Sequence, residues 1–495
     1  MQRLTGVDAM FIYGEASGWP LHMGALGLFD PSMSPAGLDV ERVRELFRQR
    51  LPHLGPFRHR LVRAPAGLDR PVWVEDPDVD VTEHIRGVRV PAPGTRRQVA
   101  ELVADLYAPR LDLAEPLWEK WVIEGIEGGL VGILDCIHHA AIDAVRAIEV
   151  QAASYDIDPA APFARPGGSP VIGERAPMGA ELLGGAALRL ASTPVRALAA
   201  AGHLAGAGGR LVGAMRRGEH EGLALPFTAP RTSLNAAVTK RRAFAYCSLS
   251  LGDVKEIARR EHVTVNDVVL TLTGGALRSY LDERGELPRR SLTAGVPVGL
   301  ADQAGARPVG GNQLALTLAS LGTDVVDPVE RLRKVAASAR AGKAMLRAIG
   351  PELMMELVGL APPAAVGVSA AGYAGLGLVR VHPPVVNVVV SNVRGAPMPL
   401  YLAGARLTAT YPIGPIADGL GLNVTVISYL DSLDFGLTVC PDLVEDPWCL
   451  VGAFEAAAAE LAPRDGRRRH LRARTPTRTP ARRVRPSGAG LGTEA

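Results

Sequence analysis

Several things are scarce in this chain, and each absence excludes something. Aromatic residues make up only 5% of it, while glycine and proline number 55 and 39. Its core must therefore be built mainly from alanine, valine and leucine. The four cysteines, Cys136, Cys247, Cys440 and Cys449, are scattered with no C-x-x-C pair. That excludes a disulfide framework and a zinc-finger spacing, and it points to a reducing, cytoplasmic setting. The opening MQRLTGVDAMFIYGE has no basic segment followed by an apolar run, so no signal peptide is read there. A strong net charge is also missing: the formal total is +3. That total hides an asymmetry, because residues 464–495 hold ten arginines, no lysine and two acids. The body is thus slightly acidic, which argues against nucleic acid as a partner. The tail is expected to be disordered, and it is suited to peripheral contact with an anionic membrane or lipid droplet.

No long leucine- and phenylalanine-rich run is present. The nearest approach is Leu357 to Val379, uncharged between Glu356 and Arg380, but broken by Pro362-Pro363 and five glycines. A spanning helix needs stronger apolar residues. The stretch is expected to form a buried or surface-docked helix after the proline pair.

At 495 residues the chain is long enough for several domains. Residues 1–157 mix amphipathic helices (40–51, 98–107) with strands (71–75, 118–125, 130–138), the last two joined by Glu127-Gly128-Gly129. Residues 158–239 are rich in alanine, glycine and proline. They read as a crossover with one or two helices, near 178–191 and 194–215. Residues 240–463 return to mixed structure, with helices at 251–261, 265–284, 328–346 and 447–461. Strands are expected at 292–298, 314–318, 385–391, 422–428 and 433–439. Residues 464–495 form the arginine-rich tail.

Most familiar chemistries are missing too. There is no G-x-S-x-G elbow, no H-E-x-x-H, no phosphate-binding glycine loop and no dinucleotide fingerprint after a strand. What is present is His138-His139-Ala140-Ala141-Ile142-Asp143 at a strand end. A neutral imidazole there can take a proton from an alcohol as the alcohol attacks a carbonyl. Asp143 is spaced to fix the loop. Paired histidines also serve structural roles or bind metal, although no third ligand of the right type lies nearby. Alternation along Leu130–Ile137 sends the His138 and His139 side chains to opposite faces.

This HHxxxD signature and its surroundings resemble the bacterial wax ester synthase/diacylglycerol acyltransferase family. Further elements carry the resemblance: Leu4–Phe11 with Asp8, Pro116-Leu117-Trp118, Asn266-Asp267, Gly311-Asn312, Asp327-Pro328, Ser391-Asn392-Val393-Arg394-Gly395, Ser428-Tyr429 and Phe435-Gly436. It covers residues 1–462 apart from the crossover. It implies an α/β fold of two similar chloramphenicol-acetyltransferase-like, CoA-dependent acyltransferase domains with the active-site tunnel between them. It implies acyl-CoA as a substrate with no cofactor or metal, and a diacylglycerol or fatty alcohol acceptor. It implies His139 as general base, supported by His138 and Asp143, with direct transfer and no acyl-enzyme. Pro116, Leu117, Trp118, Asn266, Asp267, Asn312, Ser391 and Asn392 would frame the substrates. Each supporting residue has a plainer role open to it: Trp118 as packing, Asn266 as a helix cap, Ser391-Asn392 as a turn. The reading is triacylglycerol synthesis. Wax ester synthesis, acylation of a polyketide or glycolipid hydroxyl, and a silent lipid-binding homologue are the alternatives. The silent reading draws on Ala144, where the family has glycine; Arg146 and Glu149 also depart from the family pattern.

Overall fold

The computed structural model describes residues 2–142, 150–151, 153–165, 173–216, 222–299, 314–350, 353, 359–360 and 363–462. Asp143, Ala144, Arg146, Glu149, Gly311, Asn312 and the tail from 464 lie outside the described residues.

The N-terminal half begins with strand β1 (Gln2–Arg3) and helix α1 (Gly6–Gly14). Thr5 caps α1 by accepting the Asp8 N–H, while the Asp8 carboxylate accepts the Thr5 N–H in return. Strand β2 (His22–Asp30), helix α2 (Val40–Arg50), strands β3 (His59–Val62) and β4 (Val72–Glu75), the turn of helix α3 (Val81–His84) and strand β5 (Ile85–Arg89) follow. Helix α4 (Arg96–Tyr107) carries a second capping box, Thr95 with Gln98. Strands β6 (Trp118–Glu124) and β7 (Val131–His138) complete this part. The apolar spacing of α2 buries Val43, Leu46 and Phe47 on one face of the sheet. That of α4 buries Val99, Val103 and Tyr107 on the other.

Helix α5 is a single rod, Gly179–Arg216, running through Pro194. Of the one or two helices expected here, the structure has one, and the proline does not end it. The hydroxyls of Ser192 and Thr193 both donate to the Arg189 carbonyl in the turn that Pro194 disturbs.

The C-terminal half comprises β8 (Ala243–Ser250), α6 (Leu251–Arg260), α7 (Val265–Asp282), β9 (Thr293–Gly299), β10 (Leu314–Ser320) and α8 (Pro328–Ile349), followed by α9 (Pro363–Gly375), β11 (Val388–Arg394), β12 (Tyr401–Leu402), β13 (Ala405–Ile413), β14 (Leu422–Tyr429), β15 (Ser432–Val439) and α10 (Trp448–Leu461). One six-stranded sheet runs β10-β9-β11-β14-β15-β8. Val268, Leu272, Phe435 and Phe454 belong to its core against α7 and α10.

The other six-stranded sheet runs β12-β13-β2-β7-β6-β5, so two strands of the C-terminal half are built into the N-terminal sheet. The contiguous boundary at 240–463 is therefore corrected: Tyr401–Ile413 crosses over and pairs antiparallel with β2. The crossing is tied down by Asp434, fully buried on β15. Its carboxylate accepts the Thr410 N–H of β13 at 2.9 Å and the hydroxyls of Ser248 and Ser432 at 2.7 and 2.5 Å. Beside it, a Cβ on Gly436 would sit 1.7 Å from the Pro412 carbonyl oxygen, so only glycine lets β13 lie against β15.

Helix α9 takes up residues 363–375 of the uncharged stretch noted in the sequence. It packs on α1, with Gly367 against Tyr13. Among the described residues no helix is long and apolar enough to cross a membrane.

Candidate active site

β7 is the middle of three antiparallel strands, and both neighbours grip its end. The His138 N–H donates to the Leu117 carbonyl at 3.0 Å, and the His139 N–H to the Leu21 carbonyl at 3.3 Å. Immediately afterwards the chain turns, with Ala141 N–H donating to the His138 carbonyl at 2.9 Å.

The two histidines differ in kind. His138 is fully buried and lies opposite His22 in the β2–β7 register. Its Nδ1 accepts the Ala140 N–H at 3.1 Å, so the ring proton sits on Nε2. Nε2 faces Glu15 Oε1 at 3.4 Å, and the same oxygen accepts the Leu21 N–H at 2.8 Å. Burial pushes the Glu15 carboxyl up, but the hydrogen bond and charge of His138 and the Leu21 bond outweigh it and hold Glu15 below the usual glutamate range. His22 is locked by a reciprocal pair: its Nε2 donates to the Tyr107 carbonyl at 2.9 Å, and the Tyr107 hydroxyl donates to the His22 carbonyl at 2.7 Å.

His139 lies beside a core cluster of small and apolar side chains that includes Ala140, Ala141, Ile12 and Leu117 and against which Phe11 packs. Its ring stacks on Phe11 of α1, centroids 4.7 Å apart and planes 12° from parallel. Protein encloses it on most sides, yet it keeps a small accessible surface. Burial, with the nearby His138 and His22 rings, pulls its pKa down to about 3, and burial pulls His22 to about 4. His139 is therefore neutral throughout the physiological range.

The other motif residues frame this centre. The Leu117 carbonyl is the acceptor that pins His138, and Leu117 itself is buried beside Ala140 and Ala141. Trp118 is 1% exposed. Its indole N–H donates to the Phe57 carbonyl at 3.0 Å, and its ring stacks between Phe57 and His84, each at 4.4 Å. Of its two open roles, packing is the one this geometry carries. Pro116 is buried, and its carbonyl accepts the Trp118 N–H at 2.8 Å. At the start of α7 the cap is Thr264, and Asp267 completes a capping box by accepting the Thr264 N–H and hydroxyl at 2.9 and 2.8 Å. The capping role expected of Asn266 is corrected accordingly; Asn266 sits inside the first turn and stays partly exposed. Ser391 and Asn392 lie within β11, partly exposed, paired in parallel with Thr425 and Asn423's strand mate Val426. They belong to a strand, and not to a turn. Past Gly395 the chain crosses to the N-terminal half, where Ala396 packs.

Glu15 is the residue beside the histidine pair that motif reading missed; Phe11, the last residue of the Leu4–Phe11 element, stacks on His139, and His22 is held in a structural role by Tyr107. Glu15 lies more than a hundred residues from His138, in a 3-10 turn after α1. The sequence hint was an acid just past the apolar run Ala9–Tyr13.

Residues 4–269 match the wax ester synthase/diacylglycerol acyltransferase catalytic domain, and residues 310–462 match the C-terminal domain of the same family. The chain belongs to the wax ester synthase/diacylglycerol acyltransferase family. A Mycobacterium tuberculosis relative named as a diacylglycerol O-acyltransferase is 34% identical over 467 residues, covering 93% of this chain and 90% of its own. A Mycobacterium bovis relative of the same name is 36% identical over 465 residues, covering 93% and 99%. Among solved structures, the wax ester synthase/diacylglycerol acyltransferase of Marinobacter aquaeolei VT8 matches with a TM-score of 0.64 and 28% identity, over 93% of this chain and 98% of that one. The starter condensation domain of rhizomide synthetase, solved with C8-CoA, matches with a TM-score of 0.51 at 13% identity, a likeness of fold. The two α/β halves are thus those of the CoA-dependent acyltransferase fold, and this family member carries the paired histidines at a strand end.

Two expectations follow from the buried rings. First, His22 and His139 must charge on unfolding at acid pH, because their folded pKa values lie below the unfolded value near 6.5. Stability from this source is complete above about pH 6.5 and is lost as pH falls toward 4. Denaturant titrations across that window are expected to show a falling unfolding free energy, and a flat profile would contradict the buried neutral assignment. Second, Glu15→Gln removes the charge facing His138 Nε2. It is expected to lower kcat by roughly tenfold or more, the size of one charge-assisted hydrogen bond, with KM little changed. An equal rise in KM would instead indicate a damaged substrate site.

Proposed function

We propose that the protein transfers a long-chain acyl group from acyl-CoA to the free hydroxyl of diacylglycerol, forming triacylglycerol. The observation that carries this reading is the neutral, partly accessible His139 ring at the end of β7, with its neighbour His138 fixed by Glu15 and by the Leu117 carbonyl. The names of the mycobacterial relatives support diacylglycerol as acceptor.

In the proposed reaction the acceptor hydroxyl lies against His139. Its oxygen attacks the thioester carbonyl as the proton passes to the imidazole. Burial makes the imidazole a weak base, so proton transfer accompanies C–O bond formation and does not precede it. The tetrahedral intermediate collapses, the C–S bond breaks, and the imidazolium returns the proton to the leaving thiolate. Ester and free CoA are released, and His139 is neutral again. A thioester is already activated, so holding the two substrates in line across the tunnel between the halves supplies much of the rate. Ser391 and Asn392 on β11 are proposed as donors toward the developing oxyanion, and Asn266, Asp267 and Asn312 as further parts of the substrate frame. His138 and Asp143 are assigned to loop geometry. No acyl-enzyme and no cofactor beyond acyl-CoA are required.

Labelled palmitoyl-CoA offered with diacylglycerol or with hexadecanol tests the acceptor. Labelled triacylglycerol is the expected product; wax ester alone would transfer the reading to fatty alcohol. Failure with both acceptors in a folded protein would favour the silent homologue. Intact-mass analysis after acyl-CoA alone should show no added acyl group.

A further inference from the structure

β7 is sealed on one face and partly open on the other. Its even residues Leu134, Cys136 and His138 are buried. Of the odd residues, Asp135 and Ile137 keep partial exposure, as does His139 directly after them. Beyond Asp135 the same face closes again, with Ile133 and Val131 buried in one cluster with Phe29 and Phe47. β7 lies inside a six-stranded sheet, so this access does not come from an open edge. Side chains two residues apart in a strand share a face, and the accessible surface is therefore a strip that starts at His139 and stops at Asp135. Ile137 joins the two ends, packing both on the cluster of Leu117 and Ala140 and on that of Phe47 and Ile133. On β2, Met23 and Ala25 lie opposite Ile137 and Asp135 and are also partly exposed. At about 3.3 Å per residue the four steps from His139 to Asp135 span roughly 13 Å, the length of about ten methylenes at ~1.3 Å each.

The strip is apolar until its far end, where it becomes charged. Lys120, opposite Asp135 on β6, is buried. Its ammonium pairs with the Asp135 carboxylate and lies 4.7 Å from the centroid of the Phe47 ring. The Asp135 side chain keeps 21% exposure, so the pair can be reached from the strip. Neither group is fully engaged. The Tyr155 hydroxyl donates to the second Asp135 oxygen at only 3.4 Å. Among the described residues Asp135 is the one hydrogen-bond acceptor on the Lys120 Nζ, which carries three donors. A buried ion pair adds little stability over an apolar pair of similar volume. A saturated chain laid across this one would strip water from it and return no hydrogen bond. A hydroxyl at the same point does both jobs, donating to the carboxylate and accepting from the ammonium.

We propose that this strip holds the hydrocarbon chain of one substrate, and that Asp135 and Lys120 select a chain bearing a hydroxyl about ten carbons from the reacting centre. The proposal rests on the transfer reaction above, with His139 at the reacting end, and it names the class of chain transferred or accepted. The test compares 10-hydroxydecanoyl-CoA with decanoyl-CoA as donors. It also compares 1,10-decanediol with 1-decanol as acceptors for hexanoyl-CoA, whose own chain stops short of the pair. With the native chain, the hydroxylated member of at least one comparison is expected to show a kcat/KM about tenfold or more above its plain counterpart, the size of one hydrogen bond to a charged group. The comparison that shows it tells whether the strip serves the acyl group or the alcohol. In the Asp135→Val/Lys120→Met variant, with folding checked by circular dichroism and melting temperature, that preference is expected to disappear and the plain chain to be used better than before. Equal kcat/KM within both native comparisons overturns the proposal, as does a preference that survives in the folded variant. If the variant does not fold, the native comparisons decide alone. No transfer of any chain to any alcohol would remove the transfer reading itself, and this one with it.

Discussion

His139→Ala is expected to lower turnover by about 10²–10⁴-fold while the protein stays folded and still binds acyl-CoA. The size is that of general-base catalysis, and the geometry explains why folding survives. The His139 ring stacks on Phe11, beside a cluster of small apolar side chains, whereas its backbone N–H, which holds the strand end to Leu21, is untouched by the substitution. His138→Ala should behave differently. It removes the acceptor for the Ala140 N–H and leaves Glu15 facing a cavity, so thermal stability should fall along with a smaller, partial loss of rate. Turnover and melting temperature measured on both variants separate the two roles. Near-normal turnover in His139→Ala, or inactivity confined to the His138 variant, would reverse the assignment.

The largest loss of stability is expected from Asp434→Ala. Its carboxylate takes the Thr410 N–H and two hydroxyls in a fully buried position. Deleting it leaves those donors without their acceptor where water does not reach, at a cost of about 3–5 kcal/mol. Because Thr410 belongs to the strand that crosses between the halves, activity should fall in parallel although Asp434 touches no motif histidine. Urea unfolding should place the midpoint well below that of the native chain, with Asp434→Asn recovering part of the difference. A midpoint within the error of the native value would mean that the crossover is held by packing alone.

What could be read in advance follows from how local each signal is. The alternation through Leu130–Ile137 was enough to part His138 from His139, because a strand's period is a property of neighbouring residues. The helices at 251–260, 265–282 and 448–461 announced themselves by period and punctuation within a few residues of where they lie. The cap of α7 was misplaced by two residues, since Thr264 and Asn266 are both good caps and only the reciprocal bond to Asp267 decides. At the proline in α5 the sequence left one helix or two open, because side-chain hydroxyls near it are not visible to propensity. Glu15 and the crossing of β13 were out of reach for a different reason: each depends on a partner far along the chain, and nothing in Ala405–Ile413 says which sheet it completes. The family resemblance reached the histidines and the Pro116-Leu117-Trp118 element but could not show that Leu117 acts through its backbone.

The crossing of β13 also bears on how the chain is made. Thr408 donates to the Leu28 carbonyl across 380 residues of sequence. During synthesis β2 pairs with β7 early, but its other edge has no native neighbour until the ribosome has passed Ile413. At about 5–20 residues per second, that edge is open for roughly 20–80 s. An unpaired strand edge held that long is a template for pairing with another nascent chain. Yield in a heterologous host should therefore improve with slower initiation or extra holdase chaperone. The N-terminal half expressed alone, from residue 1 to 239, should aggregate, and co-expression of residues 240–495 should rescue it by delivering the missing strand in trans.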